Sequence, residues 1–109
     1  MCPDKAWKAE EREVAARLGG ERVPVTGRGR GHAPDIQHNW LSIEVKSGRN
    51  ALSAKTILLA LEQARASAKK NGGLPIAVCV QSSGRGKPKR YVVCMTLDDF
   101  CEHHGLPGG

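Results

Sequence analysis

The stretch Pro34-Asp35-Ile36-Gln37-His38-Asn39-Trp40-Leu41-Ser42-Ile43-Glu44-Val45-Lys46 decides how this chain is read. From Trp40 to Lys46, apolar and polar residues alternate. Leu41, Ile43 and Val45 point one way and Ser42, Glu44 and Lys46 the other, the period of a strand with one buried face. Ile36–His38 reads as a second strand, with a tight turn at His38-Asn39. A two-residue turn pairs Gln37 with Trp40 and sets Asp35 opposite Ser42, diagonal to Glu44 on the same face. The hairpin then presents two carboxylates and one ammonium together, on the face away from Leu41, Ile43 and Val45.

Outward from the hairpin, Ser53 is placed to cap a helix running to about Lys70, with Ile57, Leu61, Ala64 and Ala68 as its core stripe and Asn71-Gly72-Gly73 as its stop. Small residues on that stripe let the helix lie close against a sheet. Pro75–Gln81 is a continuous apolar run, expected as a central strand, and Arg90–Met95 is another strand beyond the loop Ser82–Lys89. Thr96 with Asp99 resembles a capping box opening a short helix, Leu97–His104. Upstream, residues 5–18 read as a helix ended by Gly19-Gly20, followed by a strand candidate Arg22–Val25, whose Pro24 suits an edge. The Gly27-Arg28-Gly29-Arg30-Gly31 segment reads as a loop. The expected order is α-β-β-β-α-β-β-α. That is a single α/β domain over 1–109, a mixed central β-sheet flanked by helices, with 1–4 and 105–109 expected to fray.

Composition limits the possibilities. A chain of 109 residues with 39% hydrophobic and 26% charged residues fits one folded domain and argues against wholesale disorder. The 4% aromatic content calls for an aliphatic, alanine-lined core. The net charge of +6 collects at Arg28–Arg30, Lys69–Lys70 and Arg85–Arg90, and separated basic patches on a small domain suit a long polyanion such as nucleic acid. Cys2, Cys79, Cys94 and Cys101 show no C-x-x-C spacing, so neither a zinc site nor a disulfide framework is expected. The longest apolar run, Ile57–Leu61, is too short to span a bilayer, and the chain is expected to be cytoplasmic.

The first helix adds an acid to the hairpin's two. Its apolar stripe is Trp7, Val14 and Leu18 with Ala15 at the edge, and position 11, a glutamate, falls in the middle of it. Glu10 lies toward the edge and Glu13 points away. A carboxylate on an inward face is costly unless something compensates it, and Glu11 could close the cluster of Asp35 and Glu44. Converging carboxylates repel unless a hard cation sits between them, and oxygen-only ligands with water select Mg²⁺ or Mn²⁺. Such an ion polarises a phosphoryl oxygen, while Lys46 can position or deprotonate the attacking water. Arg28, Arg30 and the glycine amides between them could hold flanking phosphates.

Pro34-Asp35…Glu44-Val45-Lys46 resembles the motif of the PD-(D/E)XK nuclease superfamily. Together with Glu11-Arg12-Glu13-Val14 and the glycine-rich basic loop, it is similar to the Holliday-junction resolvases of archaea and their phages, over roughly residues 6 to 81. The resemblance implies a restriction-endonuclease-like domain and a homodimer. It implies a catalytic set of Glu11, Asp35, Glu44 and Lys46, with metal held by Glu11, Asp35, Glu44 and Val45. The residues expected to contact DNA are Arg12, from the resemblance, and Arg28, Arg30, His32, Arg49, Arg85, Lys87, Lys89 and Arg90, from the basic segments and the surroundings of the site. The Asp-to-Glu spacing is short for that pattern, and little chain follows the last strand. Gln63 falls where some members carry a glutamine in the helix after the motif.

The expected activity is metal-dependent, structure-selective DNA endonuclease cleavage, with four-way junctions as the substrate. A nuclease of flaps, nicks or single strands would use the same site, since the motif encodes chemistry and not substrate shape. An inactive nucleic-acid-binding module is the rival from another class, although a pure binder gains nothing from carboxylates near phosphate. Arg85–Arg90 is either a DNA-contacting tip or a solubilising loop. Leu58 and Leu59, off the core stripe, are either a dimer surface or covered by a loop. His32, His38, His103 and His104 lack metal-ligand spacing and read as turn and surface residues, with His32 close enough to the site to touch a phosphate.

Overall fold

The structure, a computed structural model, describes residues 3–22, 36–84 and 86–108. It is a small α/β domain with a mixed sheet and three helices, ordered α1 (Pro3–Leu18), β1 (Glu21–Arg22), β2 (Ile36–Gln37), β3 (Leu41–Gly48), α2 (Ala54–Asn71), β4 (Leu74–Gln81), β5 (Arg90–Cys94) and α3 (Leu97–His103). The strands lie in chain order across the sheet. β3 and β4 run parallel, and the other neighbouring pairs are antiparallel. Val23–Val25 of the expected first strand lie outside the described residues, as does the 27–31 loop.

Local sequence explains where the helices stop and start. At the end of α1, Gly19 takes φ +74° and the Gly20 N–H donates to the Ala15 carbonyl at 2.9 Å, the paired-glycine stop that Gly19-Gly20 announces. A Cβ on Gly20 would come within 2.7 Å of the Gln37 carbonyl oxygen, so the close approach of this turn to β2 needs glycine. Ser53 caps α2 by accepting from the Thr56 N–H at 3.2 Å. Beyond α2, Gly73 sits at φ +102° with Leu41 backbone 2.9 Å from where a Cβ would stand, and the Leu74 N–H donates to Trp40. Thr96 caps α3 through the Asp99 N–H, but the capping box is only half formed. The Asp99 carboxylate instead accepts from Arg65 of α2 at 2.7 Å, tying the two helices together.

The two faces of the sheet differ in kind. On the first, Val14 and Ala15 of α1 pack on Ile36, Leu41, Ile43, Ile76, Val78 and Val80, a layer of large aliphatics. On the second, Ala60 and Leu61 of α2 pack on Ala77 and Cys79. Ala60, Ala64 and Ser67 are all buried, and Ser42 reaches across to donate to the Ala64 carbonyl at 2.8 Å. α2 rides close because its stripe and the strands beneath it carry small side chains. The β3–α2–β4 crossover fixes which residues share a level, from Leu41↔Leu74 to Gly48↔Gln81.

The turn before β3 is longer than the sequence predicts. Ile36 pairs with Ile43, two residues beyond the register that a His38-Asn39 turn requires. The reason lies in His38. Its Nδ1 accepts the Trp40 N–H at 3.2 Å, the group that a two-residue turn would have given to Gln37, and its Nε2 donates to the Leu18 carbonyl at 2.7 Å. Trp40 in turn stacks on His103 of α3, with ring centroids 5.2 Å apart. A shift of two residues keeps every β3 side chain on its expected face. Among the described residues no helix is long and apolar enough to cross a membrane.

Candidate active site

Glu44 and Lys46 alternate with Ser42 along β3, so all three share the face that α2 covers. The level partners agree: Glu44 lies beside Ala77 and Lys46 beside Cys79, both in the layer under α2. Both charged side chains are half-buried, Glu44 at the middle of β3 and Lys46 nearer its end. Val45 points the other way and packs on the layer under α1.

Glu11 is buried, at 4% exposure, as its place in the apolar stripe requires. That stripe, shared with Val14, Ala15 and Leu18, lies against the opposite face of the sheet from Glu44 and Lys46. Asp35 lies outside the described residues, as do Arg28, Arg30, His32 and Arg85. Asp35 is the chain neighbour of Ile36, which pairs with Ile43, itself the neighbour of Glu44.

The end of the parallel pair gathers basic groups. The Gly48 carbonyl accepts from the Ala51 N–H at 3.4 Å and the Ser82 N–H at 3.2 Å, joining the turn after β3 to the loop after β4. Arg49 is exposed in the first of these, and Lys87 is exposed in the second. Arg90, also exposed, opens β5 opposite Gln81 and so stands on the level of Gly48. Arg12 is exposed on α1, and Gln63 is exposed on α2.

One member of the expected DNA-binding set also has a partner within the protein. Lys89 forms an ion pair with Glu10, whose side chain is only 7% exposed. The Tyr91 hydroxyl donates to the same carboxylate at 2.9 Å, and burial together with Glu10 pushes that phenol above its ordinary range. The Arg17 guanidinium lies over the Tyr91 ring at 4.3 Å and pairs with Glu13 at 2.8 Å. Glu10 is thus as deeply buried as Glu11 and has named partners. Helical phase alone puts it at the rim. The sign that would have found it is the Lys89-Arg90-Tyr91 sequence, which delivers an ammonium and a phenol two residues apart at the start of β5.

Cys79 neighbours Lys46, and burial with the adjacent Cys94 pushes its thiol up to about 11. The Glu44 carboxylate and the main-chain oxygens of β3 are hard donors, of the kind that fits Mg²⁺ or Mn²⁺. Among the described residues no group of three or more His, Cys, Asp or Glu side chains is gathered to hold an ion, and Asp35 lies outside that set. Trp40, His103 and His38 form a ring cluster at the Leu41 end of β3, several residues before Lys46. Comparison with protein-family models, with curated proteins and with solved structures gave no match.

Proposed function

We propose that this chain is a metal-dependent, structure-selective DNA endonuclease with a PD-(D/E)XK active site in a restriction-endonuclease-like domain, and that four-way junctions are its substrate. The observation that carries this reading is the pair Glu44 and Lys46, half-buried on one face of β3 and bordered by basic residues where the parallel strands end. A carboxylate and an ammonium two residues apart on a strand have a bland explanation as a surface ion pair. The half-burial of both and the exposed Arg49, Lys87 and Arg90 at the same end favour an anionic ligand instead.

In this reading Asp35, Glu44 and the Val45 carbonyl hold the ion, with Glu11 approaching from α1. The ion supplies Lewis acidity toward a phosphodiester. Lys46 positions the attacking water and offsets the negative charge that builds on the phosphate oxygens as the bond to the leaving oxygen breaks. Arg49, Lys87 and Arg90, with Arg12, Arg28, Arg30, His32 and Arg85, hold the flanking backbone, contacts that fix register without reading sequence. A homodimer places two such sites for paired incisions.

The test is cleavage of labelled four-way junction, flap and linear duplex with Mg²⁺ and with chelator. Asp35→Asn and Lys46→Ala should lower cleavage by about a hundredfold to a thousandfold while DNA binding persists. Paired cuts confined to the junction support the full reading. Cutting of flaps or duplex as well keeps the nuclease and removes the junction preference. Binding that survives chelation, with no cleavage of any substrate by the wild type, identifies a binding module.

A further inference from the structure

We propose that Glu10 is a positioning residue for DNA binding: it clamps the β4–β5 loop onto α1 through Lys89 and Tyr91, so that Lys87 and Arg90 are presented at the Lys46 end of the sheet. The proposal rests on the nuclease reading above.

Three observations carry it. The Glu10 carboxylate is nearly sealed from solvent, and its two oxygens divide between partners: Oε2 pairs with the Lys89 ammonium and Oε1 accepts from the Tyr91 hydroxyl. Lys89 is the last residue of the loop and Tyr91 is in the strand that follows, so the two contacts grip the loop's exit on both sides of Arg90. The loop's entrance is held separately, by the Ser82 N–H on the Gly48 carbonyl. Both ends of the loop are therefore anchored on the level just beyond Lys46, since Gly48, Gln81 and Arg90 share that level.

On charge alone, a buried carboxylate on a basic protein opposes the binding of a polyanion. Removing it by Glu10→Gln raises the net charge by one unit, and long-range electrostatics alone predicts tighter DNA binding. The clamp predicts the reverse. With an amide in place of the carboxylate, Lys89 has no charged partner, and its side chain, 44% exposed, turns to water. The loop exit loosens, and ordering it again on DNA costs conformational entropy. The two accounts thus differ in sign.

The experiment measures Kd for labelled four-way junction and duplex at low salt, with single-turnover cleavage at saturating protein. Four proteins are compared: wild type, Glu10→Gln, the Lys87→Ala/Arg90→Ala pair, and the triple variant. The expected result is a Kd raised about fivefold by Glu10→Gln, an unchanged cleavage rate at saturation, and little further effect of Glu10→Gln once Lys87 and Arg90 are neutralised. Tyr91→Phe, which removes one contact without changing charge, should move Kd in the same direction by less. It carries the test if Glu10→Gln fails to fold, as judged by circular dichroism melting. A Kd that is unchanged or lower, or an equal loss in both backgrounds, overturns the clamp and leaves the nuclease reading standing. A wild type that binds neither DNA removes the nuclease reading and the clamp with it.

Discussion

The two faces of the sheet solve the same packing problem with different materials. Under α1 the layer is made of isoleucine, leucine and valine, and the helix contributes a narrow stripe whose centre is a glutamate. Under α2 the layer is alanine, cysteine and serine, and the helix settles close enough for Ser42 to bond a helix carbonyl. The bulky layer obtains stability from area. The small layer obtains it from close approach, and this is the face on which Glu44 and Lys46 stand. The strand neighbours of Glu44 and Lys46 on this face are the small Ala77 and Cys79, and both charged side chains are only half-buried there.

This contrast can be tested by exchanging size between the faces. Ile43, fully buried under α1, should lose about 3–4 kcal/mol on truncation to alanine, read from the denaturant midpoint, because a cavity opens among large neighbours. Ala77→Leu makes the opposite change under α2. It should cost about 1–3 kcal/mol by pushing the helix off the sheet, and it should also reduce cleavage by displacing Glu44 on the same level. An Ala77→Leu protein of wild-type stability would mean that the α2 face is not closely packed. Ser42→Ala should cost about 1 kcal/mol, the worth of one buried hydrogen bond, with the freed Ala64 carbonyl left in a dry layer.

One further effect is visible only in alkali. Cys79 has its thiol raised from 9.0 to about 11 in the folded chain, so its contribution is fully present below pH 9 and is lost as pH rises toward 11, where the unfolded state ionises first. Replacing Cys79 with alanine should flatten the fall in stability across that window relative to wild type. Equal slopes would show that the thiol ionises as easily folded as unfolded.

Much of the architecture was legible because it is written in short-range chemistry. The stop at Gly19-Gly20, the cap at Ser53, the alternation from Leu41 to Lys46 and the apolar run of β4 each declare an element through a few neighbouring residues. What escaped depends on partners distant in the chain. The turn at His38 lengthens because its ring is held by Leu18 and its neighbour Trp40 stacks on His103, neither of which any local pattern contains. Asp99, expected to complete a capping box, is taken by Arg65 for the same reason. Glu10 looked like a rim residue because helical phase describes only the helix, and the strand that buries it begins at Arg90. In the candidate site, the shared face of Glu44 and Lys46 follows from strand period alone. Which face of the sheet each helix covers does not, since that depends on packing between parts of the chain far apart in sequence.

The constant offset between β3 and β4 also bears on how the molecule assembles. Every rung from Leu41↔Leu74 to Gly48↔Gln81 joins the same two stretches across one helix, so the chain entropy of closing that loop is lost once, at the first rung, and each later rung adds bonds with little further loss. Within this unit α2 supplies local contacts, which form quickly, and the small-residue layer lets them be consolidated without sorting large side chains. β5 then adds through a short hairpin, while α1 must return across a much longer separation to cover the other face. Residues 41–81 thus form a unit whose closure cost is met once, whereas α1 reaches the sheet only across a longer separation.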